Sequence, residues 1–171
     1  MKRYGVLVLW GILILSEGGC KRRSCEGVEC LNGGTCRNGR CNCPVGFGGG
    51  YCQEKWSDAW IGNYTVDDRC RVVGLIPQYE ASLSASPLYP DVIYLEGFGD
   101  IRCEGQRLRV EARLTAPNVA EINRQSSCNR RYIIEGRIER DANRRTLIVN
   151  YFYQDLQTNL ADTCRAEWFR Y

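Results

Sequence analysis

Eleven cysteines and no histidine bound the chemistry open to this 171-residue chain. Cysteines at that density act as disulfides in an oxidising compartment, because cytosolic thiols are kept reduced. The lack of histidine removes the commonest general base, the usual partner of serine and cysteine nucleophiles, and a frequent zinc ligand. Carboxylates remain. Glu135, Glu139, Asp155 and Asp162 could form a catalytic pair, but nothing in their spacing sets two of them on one face near a cleft. No enzyme, cofactor or metal is expected. Arg124, Arg130, Arg131, Arg137, Arg140, Arg144 and Arg145 could hold an anionic glycan or a lipid head group, yet arginines alternating along strands usually form a solvated face. Trp60, Tyr64, Tyr94, Tyr132, Tyr151, Phe152, Tyr153, Trp168 and Phe169 could line a ligand cavity or simply fill a small barrel.

The bulk composition limits partners further. Hydrophobic residues at 44% and charged residues at 25% are those of a folded globular chain. The formal net charge of +3 is small. It is also spread evenly, whereas nucleic-acid binding needs a concentrated basic face. No nucleic acid is expected.

Met1-Lys2-Arg3 followed by the ten-residue apolar run Val6 to Leu15 reads as a signal peptide. Ten residues at 1.5 Å each span about 15 Å, roughly half a bilayer core, which is too short for a transmembrane anchor. Gly18-Gly19-Cys20 then resembles the lipobox of bacterial lipoproteins, although Glu17 stands where that family places an apolar residue. The resemblance implies a leader over 1–19, lipidation of Cys20, and a basic tether over 20–24. Acyl chains would hold the protein on a membrane, each buried CH₂ contributing about 0.8 kcal/mol. Ordinary cleavage after Gly18 is the alternative and would leave a secreted protein.

Cys25, Cys30, Cys36, Cys41, Cys43 and Cys52 follow the spacing C-x4-C-x5-C-x4-C-x-C-x8-C. Asn32-Gly33-Gly34-Thr35 precedes the third cysteine, and Cys43-Pro44-x-Gly46-Phe47-x-Gly49 leads to the last. These motifs resemble an EGF-like module across residues 25–52. Six cysteines alone allow 15 pairings; the resemblance implies Cys25–Cys36, Cys30–Cys41 and Cys43–Cys52. Twenty-eight residues cannot bury enough surface to fold on a core, so covalent staples must supply the stability. Asn38-Gly39 is the preferred pair for a type I′ hairpin turn. Calcium-binding EGF-like modules carry acidic residues before the first cysteine. Here Lys21-Arg22-Arg23 would repel a cation, so no calcium is expected, and Arg-Gly-Asp is absent.

Gln53-Glu54-Lys55 reads as a short polar joint, and residues 57–171 as an all-β domain. Arg107 to Leu114 alternates polar and apolar, as does Tyr79 to Ala85, the period of a half-buried strand. Tyr132–Ile138, Thr146–Tyr153 and Cys164–Tyr171 are rich in β-branched and aromatic residues. Turn signals at Ser86-Pro87, Phe98-Gly99-Asp100, Glu104-Gly105, Ala116-Pro117 and Asp141-Ala142-Asn143 separate them. About eight strands point to a meandering antiparallel barrel or a sandwich. Trp60-Ile61-Gly62-Asn63-Tyr64, read as lying on the first strand, is similar to the start of a lipocalin-like barrel. The whole arrangement resembles Bacteroidota-type lipoproteins in which a small β-domain follows an EGF-like module. Four cysteines remain, with three possible pairings. A closed barrel, whose first and last strands adjoin, favours Cys70–Cys164 with Cys103–Cys128. Asn63-Tyr64-Thr65 is a glycosylation sequon that has no use in a bacterial host.

The expected protein is therefore non-enzymatic, exported and membrane-anchored, facing the periplasm or the cell surface. Its EGF-like module would act as spacer or interaction element, and its β-domain would contact an unknown protein or glycan. The alternative is a lipocalin-like barrel that binds or carries a small apolar ligand; a hydrolase on an unrecognised β-fold ranks third. An apolar cavity of several hundred Å³ would favour the carrier, and a filled interior would count against it.

Overall fold

A computed structural model of the chain describes residues 24–141 and 146–171. The leader over 1–19, Cys20, the tether up to Arg23, and Arg144 and Arg145 lie outside these residues.

In the N-terminal unit, Thr35–Arg37 (β1) and Arg40–Asn42 (β2) pair antiparallel. Asn38 and Gly39 between them both take positive φ, 55° and 73°, the condition for a type I′ turn. Disulfides join Cys25 to Cys36, Cys30 to Cys41 and Cys43 to Cys52. Phe47–Gly48 (β3) pairs with Glu54–Lys55 (β4). Two residues of the polar joint are thus part of a ladder, a strand too short to leave any alternation in sequence. The N–H of Trp56 then donates to the Gly46 carbonyl at 2.9 Å. Gly46 is buried. A Cβ there would lie 2.9 Å from the Pro90 carbonyl carbon, so only glycine allows the small unit to abut the loop around Pro90.

The larger unit contains Gly62–Cys70 (β5), Leu75–Ala85 (β6), Val92–Glu96 (β7), Arg102–Cys103 (β8), Gln106–Arg107 (β9) and Arg109–Ala116 (β10). Val119–Ser127 (β11), Tyr132–Asp141 (β12), Thr146–Asp155 (β13) and Leu160–Arg170 (β14) complete it. β5, β6, β7 and β10 to β14 form a closed antiparallel barrel of eight strands in sequence order, with β14 returning to β5. The sandwich alternative does not occur. Closure leaves no exposed barrel edge to template aggregation, and β8 with β9 makes a separate small hairpin.

Alternation decides what faces inward. Along β5, Tyr64, Val66, Asp68 and Cys70 are buried and the residues between them are not. β6 begins four residues before the first polar–apolar alternation, at Leu75. Pro77 lies there at a register shift between Val66 and Asp68 of the partner strand, where a missing N–H removes no ladder bond. The stretch Arg107 to Leu114 is broken at Leu108. Its N–H donates to Ile101 O, and its carbonyl accepts from the N–H groups of Gly97 and Phe98. Leu108 still points inward, so the alternation runs on through the break.

Trp60 is not on the first strand. It follows a short 3₁₀ helix, Trp56–Ala59 (η1), and plugs that end of the barrel with no exposed surface. Its Nε1–H donates to Pro117 O at 3.1 Å, and the Tyr64 hydroxyl donates to its carbonyl at 2.6 Å. A second 3₁₀ helix, Phe98–Asp100 (η2), sets Phe98 into the opposite end. Between the two plugs the rings touch in series: Tyr64–Trp168 at 5.8 Å, Trp168–Phe98 at 6.3 Å and Phe98–Tyr151 at 4.6 Å between centroids. Gly136 makes room for this. A Cβ there would meet the backbone at Asn150 O and Tyr151 Cα, at 2.6 and 2.9 Å, because Gly136 is paired directly with Tyr151. The barrel axis is filled by side chains.

Candidate functional site

The turns on either side of the strands fall at two ends of the barrel. At the Phe98 end lie the β5–β6 turn (71–74), the β8–β9 segment (97–108), the β11–β12 turn (128–131) and the β13–β14 turn (156–159). Disulfides concentrate here. Cys103 of β8 is bonded to Cys128 beside β11, and Cys70 to its directly paired neighbour Cys164. With the three of the small unit, all ten cysteines from Cys25 onward are engaged.

Two carboxylates brace the turns. The Asp162 side chain accepts from the backbone N–H groups of Arg71, Val72 and Val73 at 2.8–3.0 Å. Burial pushes this carboxyl up, but the amides of Val73, Val72, Thr163 and Arg71 outweigh it and hold the carboxyl below its usual range. Asp155 takes Arg131 through Nε and Nη2, the latter at 2.8 Å. That hydrogen bond, against an opposing burial effect, pushes Asp155 down to about 2. Arg131 also covers the face of Tyr132 at 4.9 Å.

Between these turns opens a mostly polar cleft of about 670 Å³, lined by Arg102, Cys103, Glu104, Cys128, Asn129, Arg130, Arg131, Leu156 and Gln157. Cys128, Asn129 and Arg130 run consecutively at positive φ, 54°, 53° and 66°. A left-handed backbone costs L-residues roughly 1–2 kcal/mol each, less for Asn. Strain of this kind persists only where the surroundings over-determine it. Here the disulfide holds Cys128, the Asn129 amide donates to Glu104 at 2.7 Å, and the Arg131 N–H closes the turn on Cys128 O. A smaller indentation of about 210 Å³ adjoins on the barrel-mouth side, among Ile76, Gly99, Ile101, Tyr132, Tyr151, Tyr153, Asp155 and Leu160.

Beneath the mouth sits Asp68, 1% exposed. The hydroxyls of Tyr151 and Tyr79 donate to its Oδ2 at 2.6 and 3.0 Å, and the Gly99 N–H donates to the Tyr79 oxygen at 3.1 Å. Among the described residues the Asp68 Oδ1 meets no side-chain or backbone partner within hydrogen-bond geometry. Burial pushes this carboxyl up, against the pull of Tyr151, Tyr79 and the Arg69 amide. Burial and the neighbouring Asp68 charge push both tyrosine hydroxyls far up, so they remain donors. Asp68 gathers with Cys70 and Cys164 closely enough to suggest a metal-ligand group, but the two sulfurs are bonded to each other and offer no thiolate.

This arrangement sets a pH dependence. Folded Asp68 holds its proton more tightly than the unfolded chain does. Wild-type stability should therefore fall as pH rises from the unfolded value near 3.9 through the raised folded value. The Asp68→Asn variant lacks that titration. Thermal unfolding should show it gaining on wild type between pH 4 and pH 8, and a pH-independent gap would contradict the assignment.

Of the carboxylates singled out in sequence, Asp155 and Asp162 share the Phe98 end, each engaged in a turn, and the two glutamates lie elsewhere. Glu135 pairs with Arg124, and Glu139 with Arg137, on the exposed barrel wall. Arg137 also pairs with Glu121. Arg140 lies near Tyr64 at the Trp60 end. Of the nine aromatics, Trp60, Tyr64, Tyr151 and Trp168 are core, and Tyr132 and Tyr153 pack against it. Tyr94 lies under Arg109, Phe152 is half-buried on β13, and Phe169 is exposed. Of the described arginine, carboxylate and aromatic candidates, Arg130 and Arg131 reach the cleft. Arg102, Asn129, Gln157 and Asp68 carried no motif. Asp68 alone had a usable signal, since it shares the inward phase of Tyr64 and Val66.

No protein-family model matches the chain. A stretch of 48 residues is 40% identical to the protocadherin-like wing polarity protein stan of Drosophila melanogaster, covering 25% of this chain and 1% of that protein. This partial likeness and the disulfides of residues 25–52 loosely fit an EGF-like module. A redesigned β-barrel overlays 67% of this chain and 94% of its own length, with a TM-score of 0.45 and 10% identity. The barrel described above rests on its own strand ladder. Among the described residues, no helix is long and apolar enough to cross a membrane.

Proposed function

We propose that this chain is an exported lipoprotein, anchored by Cys20, that works without catalysis by contacting a partner through the disulfide-tied end of its barrel. The filled barrel axis carries this reading. A lipocalin-like carrier of a small apolar molecule needs interior room, commonly about 300–1,000 Å³, and the ring series from Tyr64 to Tyr151, with Trp60 buried at one end, occupies it. The cleft lies instead at the rim, on turns pinned by disulfides and carboxylates. The small unit, hard against the Pro90 loop at the other end, serves as a stapled spacer between anchor and barrel. Cysteine use supports the anchor: with ten cysteines bonded in five disulfides, Cys20 is the one of eleven left over. The engagement of Asp155 by Arg131, of Asp162 by turn amides, and of Glu135 and Glu139 by wall arginines supports the non-enzymatic reading over a hydrolase.

Intact mass spectrometry of the detergent-extracted mature protein tests the anchor. The expected mass includes an acylated Cys20 and lacks the ten hydrogens of five disulfides. An unmodified N-terminus at Gly19 overturns the lipoprotein reading. Titration with the neutral apolar dye N-phenyl-1-naphthylamine tests the rest, and saturable one-to-one binding would restore the carrier reading.

A further inference from the structure

We infer that the cleft between the β8–β9 hairpin and the β11–β12 turn binds a saccharide bearing a carboxylate or sulfate group. The inference rests on the reading of this barrel end as the contact face, and it names the ligand.

The arginines of the cleft carry the argument. Four arginines of the outer wall are spent on carboxylates: Arg113 on Asp91, Arg124 on Glu135, Arg137 on Glu121 and Glu139, Arg165 on Glu167. The side chains of Arg102 and Arg130, which line the cleft, make no hydrogen bond or ion pair with any described residue. Between them stands Arg131, whose bonds to Asp155 use Nε and Nη2 and leave Nη1. A guanidinium fixed in this way and stacked on Tyr132 loses little freedom on binding. Three guanidiniums around one opening suit an oxyanion held by paired N–H groups.

The rest of the lining selects what carries the oxyanion. Asn129, Gln157 and Glu104 present amides and a carboxylate, the groups that exchange hydrogen bonds with hydroxyls. Glu104 would oppose a bare polyanion, but its Oε1 already accepts from Asn129, and the same oxygens take sugar hydroxyls. The lining is mostly polar, Leu156 being its main apolar contact, which disfavours a lipid or apolar cargo. A volume of about 670 Å³ admits a short oligosaccharide. The left-handed run Cys128-Asn129-Arg130, held at Cys128 by the disulfide to Cys103, sets the backbone from which Asn129 and Arg130 project.

Calorimetric titration of the full mature protein decides it, with four probes: trigalacturonate, its fully methyl-esterified form, a sulfated galactose trimer and the unsulfated trimer. One or both charged trimers should bind saturably with a Kd below about 1 mM. Their neutral counterparts should bind at least about ten-fold more weakly, the effect of losing one charge-assisted contact. The double variant Arg102→Gln/Arg130→Gln should show the same loss with its thermal unfolding unchanged. Arg124→Gln on the outer wall should bind as wild type does. Absence of saturable binding by either charged trimer overturns the inference. So does equal binding of the neutral forms, or an equal loss in Arg124→Gln. Acylation of Cys20 is read separately by mass, so either proposal can fail without the other.

Discussion

Replacing Cys70 and Cys164 together by alanine is expected to lower the stability of the barrel by about 4–5 kcal/mol. The two residues lie 94 positions apart and face each other directly in the β14–β5 ladder, the seam where the sheet closes on itself. Cross-linking a loop of that length removes roughly 4.7 kcal/mol of chain entropy from the unfolded state. The backbone bonds of the seam survive the substitution, so the native fold should persist while its unfolding midpoint drops. Both sulfurs are buried against the core, and the lost contacts add to the effect. Urea unfolding at equal slope measures it, since a slope change would report a different unfolded state. A loss below about 1 kcal/mol would mean that the unfolded chain is already compact around this seam. The same treatment of Cys103 and Cys128, with a separation of 25, should cost less, about 3.5 kcal/mol. It should also release the left-handed turn that shapes the cleft.

Trp60→Ala is expected to cost about 3–5 kcal/mol, the range for removing a large aromatic from a core that cannot collapse around the gap. Trp60 is fully buried at the end opposite the cleft. It plugs the axis below Tyr64, and its indole N–H serves the Pro117 carbonyl in the β10–β11 turn. The truncation would open one end of the ring series and leave that carbonyl unpaired. Trp60→Phe separates the two effects. It keeps most of the volume and loses only the hydrogen bond, for about 1–2 kcal/mol. Circular dichroism melts of both variants provide the measurement. Near-equal losses would assign the role to the hydrogen bond rather than to the plug.

Much of this was legible one strand at a time. The polar–apolar alternation in Val110 to Leu114, and the runs at Tyr132 and Thr146, are local consequences of a sheet with one wet face, and so are visible in any single strand. The Asn38-Gly39 turn is local in the same way. Trp60 was misplaced because its neighbours Gly62 to Tyr64 read as strand, while the 3₁₀ helix before it spans only four residues. The ladder of Glu54 and Lys55 was hidden for a similar reason, since two residues have no period. The candidate site was legible only in Arg130 and Arg131, adjacent in sequence and basic. Arg102 lies 28 positions before Arg130 and is brought beside it by a disulfide and two turns.

The cysteine count, the missing histidine and the alternating strands were determined by sequence alone, because each is a property of composition or of neighbours along the chain. They point to a disulfide-stapled, all-β protein. Whether the barrel holds a cavity was decided only in three dimensions. Trp60, Trp168, Phe98 and Tyr151 come from four separate segments, and the filling of the axis depends on where closure places them. The gathering of Arg102, Arg130 and Arg131 at one rim has the same origin. Sheet closure and the Cys103–Cys128 bond set distances that no spacing along the chain encodes.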